Sequence, residues 1–250
     1  MVCLITWNVL ADAYVNPAYF PRVDPALLVP GVRTAPILAS LAASPADVVC
    51  LQEIEPAVVE AIRATGGWDV HFASKIGRPD GCAILARRAA RLSGVQTLAF
   101  ADGAPDRVDS GHVALVATVH AADRTLQLAT THLRWDAAHT PHADRWATRQ
   151  VRDLIALFGA DPSRWIVCGD LNVQPGDPAY VMLTEAGLVD VMPDLPTANA
   201  NDRAKRIDHI LVGRRVAAIA LPVMPITDTT PLPSDVMPSD HLPIGVTLAL

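Results

Sequence analysis

An α/β fold built on mixed β-sheet is predicted by three observations. Short apolar runs of β type alternate with segments of helical period. Between residues 82 and 131 several such runs follow one another with no helix between them, which a pure βαβ repeat does not allow. The 250 residues are 51% hydrophobic, enough to bury a substantial core.

The elements follow in order. Residues 2–9 form the first apolar run and predict a strand. Residues 16–30, rich in Pro and Asp, read as a surface loop, and residues 34–43 have a helical pattern. A strand at 48–51 precedes a helix at 56–65 that opens on Pro56, which suits a first helical position. Strands are predicted at 68–72, 82–86, 113–119 and 126–131, with a loop at 101–109. A helix at 143–158 leads to a strand at 165–168. Asp177 and Pro178 then signal the start of a helix at 177–186, as N-cap and first helical residue. Loops at 193–206 and 222–238 flank a strand at 207–212, and residues 244–250 predict the last strand. The strand pattern resumes after every loop and no segment repeats, so residues 1–250 read as a single domain.

Charge and cysteine usage narrow the function. Twenty-six acids against 20 Lys and Arg give a formal charge of −6, which argues against holding long nucleic acid on a general basic surface. Cys3, Cys50, Cys82 and Cys168 each sit in an apolar run, and none forms a CxxC or a zinc-type cluster. They predict buried free thiols in a reducing compartment. The first residues lack the basic and apolar regions of a signal peptide, and no apolar run reaches membrane-span length. The expectation is a cytoplasmic protein, monomeric, without membrane contact.

One regularity points to chemistry. Residues able to bind metal or move protons stand where apolar strands run out: Asn8, Glu53, His132, Asp170 with Asn172, and Asp240 with His241. Strand ends along one sheet edge form a natural crevice on a rigid scaffold.

Six short motifs carry a family resemblance: Thr6-Trp7-Asn8, Leu51-Gln52-Glu53, Thr131-His132-Leu133, Cys168-Gly169-Asp170-Leu171-Asn172, Ile207-Asp208-His209 and Ser239-Asp240-His241-Leu242-Pro243. In this order, from residue 6 to residue 243, they resemble the endonuclease/exonuclease/phosphatase superfamily of DNase-I-like phosphoesterases. Asn8-Val9-Leu10-Ala11-Asp12, Pro79-Asp80-Gly81-Cys82-Ala83 and His132-Leu133-Arg134-Trp135-Asp136 are most similar to its deadenylase/nocturnin branch. The resemblance implies a four-layer α/β sandwich, two mixed sheets packed face to face and flanked by helices.

It also implies a Mg²⁺-dependent phosphoester hydrolase, with Mn²⁺ as a substitute, acting on short RNA, oligonucleotides or nucleotides. Negative charge grows on the oxygens when water attacks phosphorus in line, and a hard cation held by carboxylates answers it. Glu53 is the implied principal ligand, with Asp240 beside it. Asp208 and His241 would form a carboxylate–imidazole pair that handles a proton, with His241 the first choice as base and Asp170 orienting the water. Asn172 and His132 would donate hydrogen bonds to phosphoryl oxygens. Asn8 would do the same or orient Glu53. Strand alternation turns His209 to the face opposite Asp208, so it reads as packing.

The resemblance implies a phosphate contact at Lys75, and Arg134 and Arg149 are expected to hold a second phosphate because guanidinium groups suit bidentate contacts. Where the nocturnin pattern has an Arg four residues after the histidine, this chain has Asp136, which leans the loop towards the deadenylase form. Arg203, Lys205 and Arg206 make a small basic cluster before Asp208, and Trp135 or Tyr180 is suited to stack one base. The favoured substrate bond is a phosphodiester. The alternatives are a phosphatase removing a terminal 2′- or 3′-phosphate and an inactive binding module.

Overall fold

A computed structural model describes residues 1–121, 124–137 and 139–249. Leu250, the last residue of the predicted strand at 244–250, lies outside the described residues.

Two six-stranded mixed sheets form the centre. The first contains β1 (Val2–Asn8), β2 (Val48–Ile54), β3 (Asp69–Ser74), β4 (Gly81–Ala86), β13 (Ala217–Ala220) and β14 (Ile244–Ala249). Their order is β13-β14-β1-β2-β4-β3, with β1 and β2 parallel. The second contains β5 (Arg91–Ala99), β6 (Val113–Ala121), β7 (Arg124–His132), β8 (Trp165–Asp170), β9 (Leu188–Asp190) and β12 (Asp208–Gly213). Its order is β5-β6-β7-β8-β12-β9, with β7 and β8 parallel. A separate hairpin joins β10 (Ala198–Ala200) to β11 (Arg203–Lys205).

The inner faces meet in one apolar core, where Leu4, Cys50 and Ile84 of the first sheet join Leu115, Leu128, Ile166 and Ile210 of the second. Helices α1 (Thr34–Ala43) and α2 (Pro56–Ala64) bury Ile37, Leu41, Val59 and Ile62 against the outer face of the first sheet. Helices α3 (Trp146–Leu157) and α4 (Pro178–Glu185) place Val151, Leu154 and Leu183 on the outer face of the second. The result is the four-layer α/β sandwich. Cys50, Cys82 and Cys168 are buried free thiols in the central core, and burial pushes Cys82 up to about 12. Cys3 is only half-buried.

The departures from the predicted elements have local causes. The β5 strand was hidden by its largely exposed pattern and by an irregular register between Ser93 and Gln96 around Gly94. The Ala-rich β13 and the three-residue strands β9, β10 and β11 are too short for a period-2 signal, and β10–β11 lies within the predicted loop at 193–206. The predicted helix at 143–158 begins instead at Trp146, because Arg145 is extended and the Asp136 carboxylate accepts from the N–H groups of Trp146 and Ala147, both at 3.0 Å. Asp177 does stand before α4, yet its carboxylate accepts from Gln174 N rather than capping the helix.

Three devices bring strand ends from both sheets to one edge. Gln52 Nε2 donates to Thr6 Oγ1 and to Thr130 Oγ1, each at 3.0 Å, and so ties β1, β2 and β7 together across the core. Buried Arg33 donates to the carbonyls of Val9, Leu10 and Pro238 and pairs with Asp12, joining the loop after β1 to the segment before β14. Gly169 lets β8 lie close to β7. Its φ is +138°, and a Cβ there would meet the Thr131 carbonyl oxygen at 1.9 Å. Strain and overpacking then act together, and Gly169→Ala is expected to cost about 2–5 kcal/mol. Denaturant unfolding with an unchanged m-value is the check.

Candidate active site

The register of the second sheet sets His132, Asp170 and Asp208 side by side, since β7 pairs His132 with Asp170 and β12 pairs Asp208 with Asp170. All three are buried. The first sheet contributes Asn8 from the end of β1 and Glu53 from a bulge in β2. At that bulge Glu53 has φ +52° while Gln52 and Ile54 keep pairing with β4. A bulge re-aims one side chain without ending the strand. Here it turns Glu53 out of the core and towards His132, whose Nδ1 is 3.8 Å from Glu53 Oε1. The segment before β14 is latched over the edge by two bonds, Ser239 Oγ to Asn8 O at 2.7 Å and Trp7 Nε1 to His241 O at 2.9 Å.

Among the described residues two groups of metal-type donors result, each with its ligand atoms within 4.8 Å of one another: Glu53, His132 and Asp170, and Asp170, Asp208 and His241. Asp170 is common to both. Its Oδ2 accepts from Asn8 Nδ2 at 2.9 Å and lies 3.5 Å from His132 Nε2 and 3.7 Å from His241 Nε2. His241 Nδ1 faces both oxygens of Asp208, at 2.9 and 3.1 Å, and Asp208 in turn accepts from Thr197 Oγ1 at 2.6 Å. Asn172, with φ +51°, brings Nδ2 to 2.9 Å from His132 Nε2.

Burial sets the protonation. It pushes the Glu53 carboxyl up to about 7, against the pull of Lys75, and Asp170 up to about 6, against the pull of His241. Burial with Lys75 nearby holds His132 well below its ordinary value. For His241 burial opposes the charge, but Asp208, Asp240 and Asp170 prevail and hold the ring well above it. Carboxylates that burial raises even beside Lys75 and His241, with oxygen donors converging, fit a hard divalent cation.

The other expected residues divide. Arg134 lines a 370 Å³ cleft with Glu53, His132, Asp170 and His241, and its guanidinium lies 4.4 Å over the Trp146 ring. Lys75 lies in the floor of this cleft, spent on Asp80 and on His132 Nδ1 at 3.0 Å, so it positions the imidazole. Lys75 and Arg149 depart from the expected substrate contacts. Arg149 is drawn away, because its Nη1 donates to the carbonyl of Gly103 in the 101–109 loop. Asp240 lines an adjoining cavity with His241, and its charge acts on Glu53. Of its two expected roles Asn8 takes the orienting one: it is fully buried, donates to Asp170 Oδ2, accepts from Leu10 N and supports the Glu53 carboxylate. His209 packs beneath the second sheet between Asp190 and the Val173 carbonyl.

Sequence reasoning missed Tyr14, Arg78 and His112, which also line the cleft. Tyr14 donates to Asp80 at 2.7 Å, and burial with the Lys75 and Arg78 charges lowers His112 to about 3. Thr197, behind Asp208, was missed as well because it sits in a segment read as loop. None of the four lay inside a quoted motif, although Asp80, the partner of Lys75 and Tyr14, did.

The sandwich and its row of acids and histidines define the class as the phosphoester hydrolases. The sequence profile of the Endonuclease/Exonuclease/phosphatase family matches residues 5–241, and the chain belongs to that family. It is 28% identical over 204 residues to Nocturnin of Drosophila melanogaster, covering 74% of this chain and 31% of the length of that protein. Among solved structures it is similar to ANGEL2, a 2′,3′-cyclic phosphatase, in complex with adenosine-2′,3′-vanadate, with TM-score 0.83 and 20% identity over 99% of this chain and 95% of that one. The human Nocturnin catalytic domain with bound sulfate gives TM-score 0.74 and 22% identity over 99% and 93%. No helix among the described residues is long and apolar enough to cross a membrane.

Proposed function

We propose that the chain is a divalent-cation-dependent phosphodiesterase that cleaves short RNA, oligonucleotides or related nucleotide substrates by in-line attack of water. The observation that carries this reading is Asp170, shared between the Glu53–His132 group and the Asp208–His241 pair. Glu53 and Asp170 are the residues that would hold the cation, and their carboxylate chemistry suits Mg²⁺, with Mn²⁺ accepted by the same donors. When bound, the cation polarises a phosphoryl oxygen. Asn8 holds Asp170 in place. His241 handles the proton of the reaction at Nε2, with Asp208 fixing the tautomer through Nδ1. Asn172 stands at the cleft wall with its amide held at the Leu133 carbonyl and against His132, while Arg134 and Arg78 line the same cleft with positive charge suited to phosphoryl oxygens. The resemblance to a 2′,3′-cyclic phosphatase and to nocturnin supports a nucleotide at the scissile bond. The buried thiols support work in a reducing cytoplasm.

The test is hydrolysis by purified protein with Mg²⁺ or Mn²⁺ against a panel of trinucleotide RNA, 2′,3′-cyclic nucleotides, 2′- and 3′-phosphorylated nucleotides and a nitrophenyl phosphodiester. Cleavage of the diesters that stops in EDTA is expected. Release of phosphate from the monoesters alone, or no turnover by folded protein, would sink this reading.

A further inference from the structure

A 620 Å³ cavity opens beside the catalytic cleft and shares His241, Asn172 and Trp135 with its surroundings. Its far wall is the β10–β11 hairpin. In the hairpin register Ala200 faces Arg203 and Ala198 faces Lys205, so two small residues leave room beside two long cations on one face. Both cations line the cavity. Among the described residues neither forms a salt bridge, whereas the adjacent Arg206 is consumed by Asp190 and Asp194. The chain has two lysines, Lys75 and Lys205, and each lies against one of these two neighbouring cavities.

The wall is rigidly built. Asn201 and Asp202 have φ +57° and +52°, as a tight two-residue hairpin turn requires. On the opposite face of the hairpin, Asn199 Nδ2 donates to the carbonyls of Thr227, Asp228 and Thr230, and Ala204 N donates to Asp228 Oδ1. The turn is tied to the near wall by Asn201 N to the Tyr19 carbonyl at 2.7 Å and by the Arg22–Asp202 pair. The cavity is also lined by Tyr19, 48% exposed, and Trp135, 61% exposed, two aromatic rings open to solvent.

Two cations without a salt-bridge partner, sharing a cavity with two exposed aromatic rings and one buried carboxylate, Asp240, match the chemistry of a nucleotide beside a phosphoester centre: phosphate on the cations, base on a ring. Resting on the phosphodiesterase reading above, we infer that this cavity is a second-nucleotide subsite. Arg203 and Lys205 take the phosphate next to the scissile one, and Trp135 or Tyr19 stacks the base. The preferred substrate is therefore at least two phosphates long, and a mononucleotide leaves the hairpin cations unused.

Binding tests this independently of turnover. Fluorescence anisotropy in EDTA would compare a labelled trinucleotide RNA with a labelled mononucleotide on wild type, on Arg203→Ala/Lys205→Ala and on Trp135→Ala. We expect the wild type to prefer the trinucleotide. The double variant should lose about tenfold or more of that affinity, with its salt slope shallower by about one to two. Trp135→Ala should lose about tenfold in trinucleotide affinity, and mononucleotide affinity should change little in the double variant. Equal binding of the trinucleotide by wild type and the double variant would overturn the subsite. So would parallel losses for both ligands. Hydrolysis of the nitrophenyl diester, run alongside with Mg²⁺, reports on the catalytic reading alone, so the two failures are distinct.

Discussion

Glu53→Gln lowers cation-supported hydrolysis by at least about a hundredfold and abolishes the rise in Tm that Mg²⁺ or Mn²⁺ gives the wild type. Loss of an outer partner of a metal site costs about 10–100-fold, so loss of a direct carboxylate sets that as the floor. The substitution keeps the shape of the side chain, and its amide oxygen can still accept the Ala11 N–H that Glu53 Oε2 holds at 3.1 Å. The fold is therefore expected to survive. The metal-free variant has a further signature. Burial raises the Glu53 carboxyl to about 7, so the folded state binds a proton that the unfolded chain releases at lower pH. That proton favours folding at acid pH, and its contribution is lost as pH rises from the ordinary carboxylate range through 7. In EDTA the glutamine variant should match the wild type near pH 5 and gain on it by pH 8. Added Mg²⁺ should reverse the order at pH 8. Thermal melts across this range, with and without cation, read both effects. A wild-type Tm that ignores the cation at pH 8 would count against Glu53 as a ligand.

How much of this site was legible in the chain depends on how each residue is placed. His132, Asp170 and Asp208 end strands whose apolar runs are plain, and strand pairing then aligns them by register. Asn8 and His241 are legible for the same reason. Glu53 is placed by a bulge with φ +52°, and no periodicity announces a bulge. Its position was read from a motif and explained only by the backbone. Arg149 fails in another way: its residue type suited the expected role, but local hydrogen bonding points it elsewhere. Tyr14, Arg78 and His112 come from loops or loop edges whose convergence depends on the packing of both sheets. The two sheets were legible as elements, but their division at β5 and the β10–β11 hairpin were not. Exposed edge strands and three-residue strands carry almost no hydrophobic pattern, because little of them is buried. The hairpin that escaped notice is the element that carries Arg203 and Lys205, so the part of the chain least readable from pattern is also the part that shapes the second cavity.

His241→Ala and Asp208→Asn separate proton handling from cation binding. His241 presents Nε2 towards Asp170 and is backed at Nδ1 by a carboxylate that is itself fully buried and bonded to Thr197 Oγ1. Removal of a positioned proton-transfer group costs about 10²–10⁴-fold, so His241→Ala should lower kcat by that amount with KM little altered. Asp208→Asn keeps the volume but offers Nδ1 an amide in place of a carboxylate. The ring then loses both its fixed tautomer and much of the charge that holds it protonated. Its kcat should fall by a similar factor, up to about 10⁴ where the tautomer is wrong. The sign of the pH effect follows from the causes. Burial lowers the His241 ring and three carboxylates raise it, so deleting the Asp208 charge moves its titration to lower pH. In metal-free protein, NMR of the His241 Cε1–H should show the midpoint falling in Asp208→Asn. Both variants should retain the cation-induced rise in Tm that Glu53→Gln loses, because Glu53 remains as a ligand. His209→Ala provides the contrast. That ring is buried between Asp190 and the Val173 carbonyl on the other side of the sheet, so its loss should lower stability and leave kcat near wild type. A variant of Asp208 with full kcat and an unmoved His241 titration would remove the pair from the mechanism.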